Sequence, residues 1–172
     1  MNDKKLKGVY LHGYQGYVTD EKKDFLNQFG DVYAPNIDYD QNPMILFDLY
    51  EKYKNEEIDF VAGTSLGGIL IFHLAMILNK PCLLLNPAVT AMDQIKSFIP
   101  ENAYNLIPNK KVNVVIGMKD TIVDPTKQLL FFNNYTDDLN LIDIKIKEDL
   151  DHFIPYDLFV ELFQDFKNEL IK

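Results

Sequence analysis

The chain contains no arginine: its 17 basic residues are all lysines, set against 26 aspartates and glutamates. The net charge of −9 and the pI near 4.7 argue against nucleic acid as a partner, since its phosphates need a basic face. They also argue against docking on anionic membrane surfaces. Without a guanidinium fork, bidentate recognition of phosphate or carboxylate is lost, and a substrate held mainly by such a group is disfavoured. The single cysteine, Cys82, excludes an internal disulfide, and its setting in Pro81-Cys82-Leu83-Leu84-Leu85 reads as an inert core thiol on a buried strand.

Long hydrophobic runs are lacking too. The longest, Leu66 to Leu78, is interrupted by Gly67, Gly68 and His73 and is too short to span a bilayer. No signal peptide is visible, because Lys4, Lys5 and Lys7 precede only a brief apolar patch ended by His12 and Gly13. A cytoplasmic protein with no membrane partner is the expectation. Only three histidines are present and they form no spaced ligand cluster, so no metal and no cofactor are expected. The 172 residues suit one domain over 1–172, as a monomer or small homo-oligomer.

Serine is scarce as well, with Ser65 and Ser97 the only two, and Ser65 sits in Gly63-Thr64-Ser65-Leu66-Gly67. An apolar run, Ile58 to Ala62, precedes this G-x-S-x-G pattern, and a helical run opens straight after it. That is the strand, sharp turn and helix context of a nucleophile elbow. Its tightness leaves no room for side chains at Gly63 and Gly67. An acid and a histidine follow in the order the elbow requires. Asp120 comes off the end of a strand over Val112 to Gly117, and His152 off the end of a strand over Leu141 to Lys147.

A histidine can take the serine's proton while a carboxylate on its other ring nitrogen fixes the tautomer. Ser65, His152 and Asp120 suit those roles. Asp124 competes with Asp120, but its place just before Pro125 also suits a helix cap. The oxyanion donors are expected to be the backbone N–H groups of Leu66 and of Tyr14, the latter in the loop His12-Gly13-Tyr14-Gln15-Gly16. His12 is expected to support that turn, and His73 to point into packing. Tyr14, Tyr17, Met92, Ile95, Phe98, Ile122 and Phe153 are candidates for an apolar substrate pocket.

Elsewhere, short apolar runs alternate with helical patterns. Strands are expected at Lys7–Leu11, Asp31–Ala34, Ile58–Ala62 and Cys82–Leu85, besides the two already named. Helices are expected at Asp20–Phe29 (closed by Gly30), Pro43–Lys54, Leu66–Leu78, about Ala91–Phe98, Pro125–Asn134 and from about Tyr156. Repeated βα units imply an α/β fold: a mainly parallel sheet of about six strands with helices on both faces. The aromatic stripe Phe159, Leu162, Phe163 and Phe166 reads as core.

Several segments together resemble the small bacterial YqiA-type esterases of the α/β-hydrolase superfamily. They are Tyr10-Leu11-His12-Gly13-Tyr14, Gly63-Thr64-Ser65-Leu66-Gly67-Gly68, Leu85-Asn86-Pro87-Ala88-Val89, Asp120 with Asp124, and His152-Phe153. The resemblance implies a single-domain α/β-hydrolase without a large cap domain, with Ser65 as nucleophile, Asp120 as acid and His152 as base. It implies a small-molecule ester or thioester substrate with a short to medium acyl group. An acyltransferase or peptidase would use the same triad, and a binding module could keep the fold without catalysis.

Overall fold

The computed structural model describes residues 5–135 and 140–171. The ends of the expected 1–172 domain, and Lys4 with them, lie outside the described residues. Six parallel strands form one sheet: β1 (Leu6–Leu11), β2 (Gly30–Tyr33), β3 (Phe60–Thr64), β4 (Cys82–Leu85), β5 (Val112–Gly117) and β6 (Ile142–Lys147), in the order β2-β1-β3-β4-β5-β6. The chain runs from β1 outward to β2, then returns to place β3 on the other side of β1. The sheet therefore reverses its direction of growth between β1 and β3. At such a switch point the carboxyl ends of two strands open onto a crevice. The loops after β1 and β3 are those that carry Gly13-Tyr14 and Ser65.

Side chains alternate across each strand, so the sheet feeds two cores. Val9, Leu11, Val61, Leu84 and Val114 face one side. There they meet α2 (Ile45–Tyr53), α3 (Leu66–Leu78) and α5 (Pro125–Asn133). Leu6, Tyr10, Phe60, Leu83 and Val115 face the other, under α1 (Asp20–Phe29) and α6 (Tyr156–Leu170). The aromatic stripe of α6 is core: Phe159 and Phe163 pack edge-on against Tyr10. Among the described residues, no helix is long and apolar enough to cross a membrane.

Local chemistry explains the boundaries. Thr19 caps α1, its hydroxyl accepting from the Lys22 N–H, with Asp20 and Glu21 in the positive first turn. Asn79 ends α3 in the left-handed conformation (φ 55°). Gly30 does not close α1 in that way. Its φ of −171° is extended, and it already belongs to β2. A Cβ there would lie 2.4 Å from the Leu6 carbonyl oxygen, so the glycine lets β2 approach β1. The strand expected at Ile58–Ala62 is displaced to Phe60–Thr64. The Asp59 carboxylate accepts from the Lys7 N–H before the regular ladder begins, and Gly63 and Thr64 still pair with Leu84 and Leu85. The segment after β4 winds as a 3-10 turn (Val89–Ala91), the one-turn α4 (Met92–Ile95) and a second 3-10 turn (Lys96–Phe98), in place of one continuous short helix.

Candidate active site

Ser65 occupies the corner between β3 and α3 with φ 53° and ψ −119°. A serine at positive φ is a strained residue held by its surroundings. Those surroundings are glycine-dependent. A Cβ on Gly63 would lie 2.5 Å from the Gly67 carbonyl oxygen, and one on Gly67 would lie 2.3 Å from the Leu11 carbonyl oxygen. The corner is also hydrogen-bonded at both ends: the Ser65 N–H donates to Leu85 O (2.9 Å), and Ser65 O accepts from the Ala88 N–H (2.9 Å).

The structure brings Ser65, His152 and Asp120 together. Ser65 Oγ and His152 Nε2 are 2.9 Å apart, and His152 Nδ1 is 2.7 Å from Asp120 Oδ2. A carboxylate only accepts, so Nδ1–H is the donor to Asp120 and Nε2 is free to accept from the serine hydroxyl. Asp120 is itself locked in place. Its Oδ1 accepts from the N–H groups of Ile122 (2.9 Å) and Val123 (2.8 Å), and its side chain is fully buried. Asp124 is engaged elsewhere: it caps α5, its carboxylate accepting from the Thr126 N–H at 2.8 Å. The acidic loop around His152 is likewise committed, with Asp149 paired to Lys119 and Asp151 accepting from the Phe153 N–H.

The loop after β1 runs beside the serine. A Cβ on Gly13 would lie 3.1 Å from Ser65 Cβ and 3.7 Å from Oγ, so the Gly13-Tyr14 backbone passes within reach of the site. His12 props this loop. Its Nε2 accepts from the Ile37 N–H (2.8 Å), its Nδ1–H donates to Gly13 O (2.7 Å), and the Tyr39 hydroxyl donates to His12 O (2.5 Å). Burial lowers the His12 pKa below its ordinary 6.5, opposed by the bond to Gly13. His73, buried in α3 and bonded through Nδ1 to Ile69 O, is lowered by burial as well. Folding therefore favours both neutral rings. The stability they contribute is complete above pH 6.5 and drains away as pH falls from there through the lowered native values. The melting temperature is expected to drop on acidification below pH 6.5, less steeply in His12→Asn; a parallel pH profile for that variant would refute the assignment to His12.

A pocket of about 500 Å3 opens beside Ser65, walled by Leu66, Leu70, Ile95, Phe98, Ile122 and Val123. Tyr14 and Asp40 also line it, joined by a bond from the Tyr14 hydroxyl to the Asp40 carboxylate (2.9 Å). Of the expected pocket residues, Tyr14, Ile95, Phe98 and Ile122 are in the wall. Met92 packs against the core instead, and Tyr17 and Phe153 stand exposed outside the lining. Leu70 and Val123 escaped sequence reasoning. The available signal for Leu70 is its spacing: it lies one turn beyond Leu66 on the same face of α3.

No family model matches the chain, and no curated protein matches it in sequence. Solved structures do match in shape. Mouse alpha/beta hydrolase domain-containing protein 10 superimposes with a TM-score of 0.67 at 14% identity, over 96% of this chain and 89% of that one. The monoacylglycerol lipase of Paleococcus ferrophilus gives 0.66 at 14% identity, over 96% and 93%. Acyl-protein thioesterase 2 of Zea mays gives 0.63 at 13% identity, over 96% and 94%. With its six-stranded parallel sheet and these near-complete superpositions, the chain has the α/β-hydrolase fold.

Proposed function

We propose that the protein is a serine hydrolase that cleaves carboxylic esters or thioesters of short to medium acyl length, of the YqiA type its motifs resemble. The observation that carries this reading is the continuous hydrogen-bond chain Ser65 Oγ, His152 Nε2, His152 Nδ1, Asp120 Oδ2, at 2.9 and 2.7 Å. Ser65 Oγ attacks the substrate carbonyl carbon as His152 Nε2 takes its proton, and Asp120 stabilises the imidazolium. The N–H groups of Leu66 and Tyr14 hold the oxyanion. The tetrahedral intermediate then collapses, and His152 returns the proton to the departing alkoxide or thiolate. Water attacks the acyl-enzyme, gives its proton to Nε2, and the acid leaves as Ser65 regains its hydrogen.

The apolar wall at the serine favours an acyl chain, and the lack of arginine disfavours substrates held by an anionic group. Neighbours of the same fold named as a lipase and a thioesterase agree with ester or thioester chemistry. No step calls for a metal or cofactor. Intact mass after treatment with a fluorophosphonate tests the reading. One adduct on the wild type is expected, absent from Ser65→Ala and His152→Ala. No adduct on the folded wild type overturns the reading in favour of a binding module. Ester turnover that runs faster to an added alcohol or amine than to water would make it an acyltransferase.

A further inference from the structure

We infer that the Asn86-Pro87-Ala88 corner is the brace that keeps Ser65 and His152 at reacting distance, with Asn86 as a positioning residue for the hydrolysis proposed above, on which this role rests. The corner lies at the carboxyl end of β4 and has no part in the chemistry, yet it touches all three connections that supply the triad.

Asn86 is fully buried, with φ 43°. Its amide is saturated across two other loops. Nδ2 donates to Asp151 O (2.8 Å) and to His152 O (3.2 Å), while Oδ1 accepts from the Gly117 N–H (2.8 Å). Gly117 ends β5 and opens the loop to Asp120. A Cβ on Gly117 would lie 2.5 Å from Leu150 O and 2.9 Å from Asp151 O, so the same glycine admits the His152 loop. On the other side, the Ala88 N–H donates to Ser65 O (2.9 Å). Pro87 backs the first turn of α3, its Cα 3.2 Å from where a Gly68 Cβ would stand.

The residue type follows from these demands. Asparagine tolerates the left-handed region, and its amide offers two donors and an acceptor on one short stem. Aspartate would turn a carboxylate oxygen towards two carbonyls, and an apolar residue would orphan all three groups in a buried place. Because Asn86 grips the carbonyl of His152 itself, the reach of the imidazole towards Ser65 depends on it. A misplacement near 1 Å in such a site costs about 100-fold in rate.

The test compares Asn86→Asp and Asn86→Gly with the wild type. Glycine adopts positive φ without penalty, so Asn86→Gly carries the comparison if the aspartate variant does not fold. Five quantities are measured: melting temperature, the rate of fluorophosphonate labelling, kcat and KM on a short-chain ester, and the low-field proton resonance of His152 Nδ1–H, assigned by its loss in His152→Ala. In variants that still melt cooperatively, labelling and kcat are expected to fall about 100-fold with little change in KM. The resonance is expected to broaden or vanish well below the melting temperature. A variant with a lowered melting temperature but wild-type labelling and resonance would reduce Asn86 to a fold residue and overturn the inference. If the wild type does not label, while its resonance is present and lost in the variants, the hydrolase reading fails and the brace stands.

Discussion

Ser65→Ala is expected to lower kcat for ester hydrolysis by on the order of a million-fold, and His152→Ala by a similar factor, with the double variant no worse than either. The three residues act as one unit, so removing any nucleophile–base partner leaves only what the oxyanion donors and binding supply. Asp120→Asn discriminates more finely. Two backbone N–H groups, of Ile122 and Val123, already point at Oδ1. The amide oxygen must sit there, which turns the NH2 towards His152 Nδ1. Two donors cannot share that bond, so the ring adopts the other tautomer, with Nε2 carrying the hydrogen and unable to take one from Ser65. A loss of about 10,000-fold, or some 5 kcal/mol of transition-state stabilisation, is the expected result. Asp124→Asn should retain nearly full activity, because asparagine also caps a helix and Asp124 faces Thr126. Steady-state kinetics on one ester series decides it. Equal losses in the two variants would dissolve the distinction between the acids.

Most of the layering was legible from residues alone, and for identifiable reasons. Leu66–Leu78, Cys82–Leu85 and Val112–Gly117 form where their apolar runs predict, because most of their residues are buried and the apolar run outweighs the few breaks in it, such as Gly67, Gly68 and Asn113. The edge of β3 was less legible, since Asp59 bonds to a residue 52 positions away, which no local pattern records. The proximity of Ser65, Asp120 and His152 was foreseeable from chain order and strand ends. The partner of Asn86 was not. Its three bonds reach residues 31, 65 and 66 positions downstream, and an asparagine after a strand reads only as a turn former. The pocket wall fared in between: Ile95, Phe98 and Ile122 follow from apolar character near strand ends, whereas Leu70 and Val123 depend on which face of an element meets the crevice.

Gly67→Ala is expected to be the most damaging single-methyl addition tested by stability. The new Cβ would stand 2.3 Å from Leu11 O and 2.4 Å from His12 O, both main-chain atoms at the end of β1. No flexible side chain can yield there, so either α3 or the β1 end must move. Overpacking of this kind costs about 3 kcal/mol, a large part of a typical 5–15 kcal/mol stability. Gly68→Ala, one residue on in the same helical turn, is the control. Its Cβ would meet Gly63 O and Pro87 at 3.2 to 3.3 Å, a squeeze of tenths of an ångström. Replacing a helical glycine by alanine also gains up to about 1 kcal/mol, so the two effects nearly cancel. Urea titration should therefore give a much lower midpoint for Gly67→Ala than for Gly68→Ala, at similar slopes. The comparison isolates cause. None of the described glycines has positive φ, and at this corner between β3 and α3 the residue that does is Ser65 itself. At the helical angles of position 67 the backbone alone would accept alanine, so a loss of stability there reports the close approach to the β1 end. A Gly67→Ala protein as stable as Gly68→Ala would mean that the β1 end gives way easily. The loop carrying Tyr14 would then not be rigidly held against the serine. A folded but destabilised Gly67→Ala protein that labels slowly would instead tie the close packing of α3 on β1 to the reactivity of Ser65, because the same shift moves the Leu66 N–H and the Gly13-Tyr14 backbone apart.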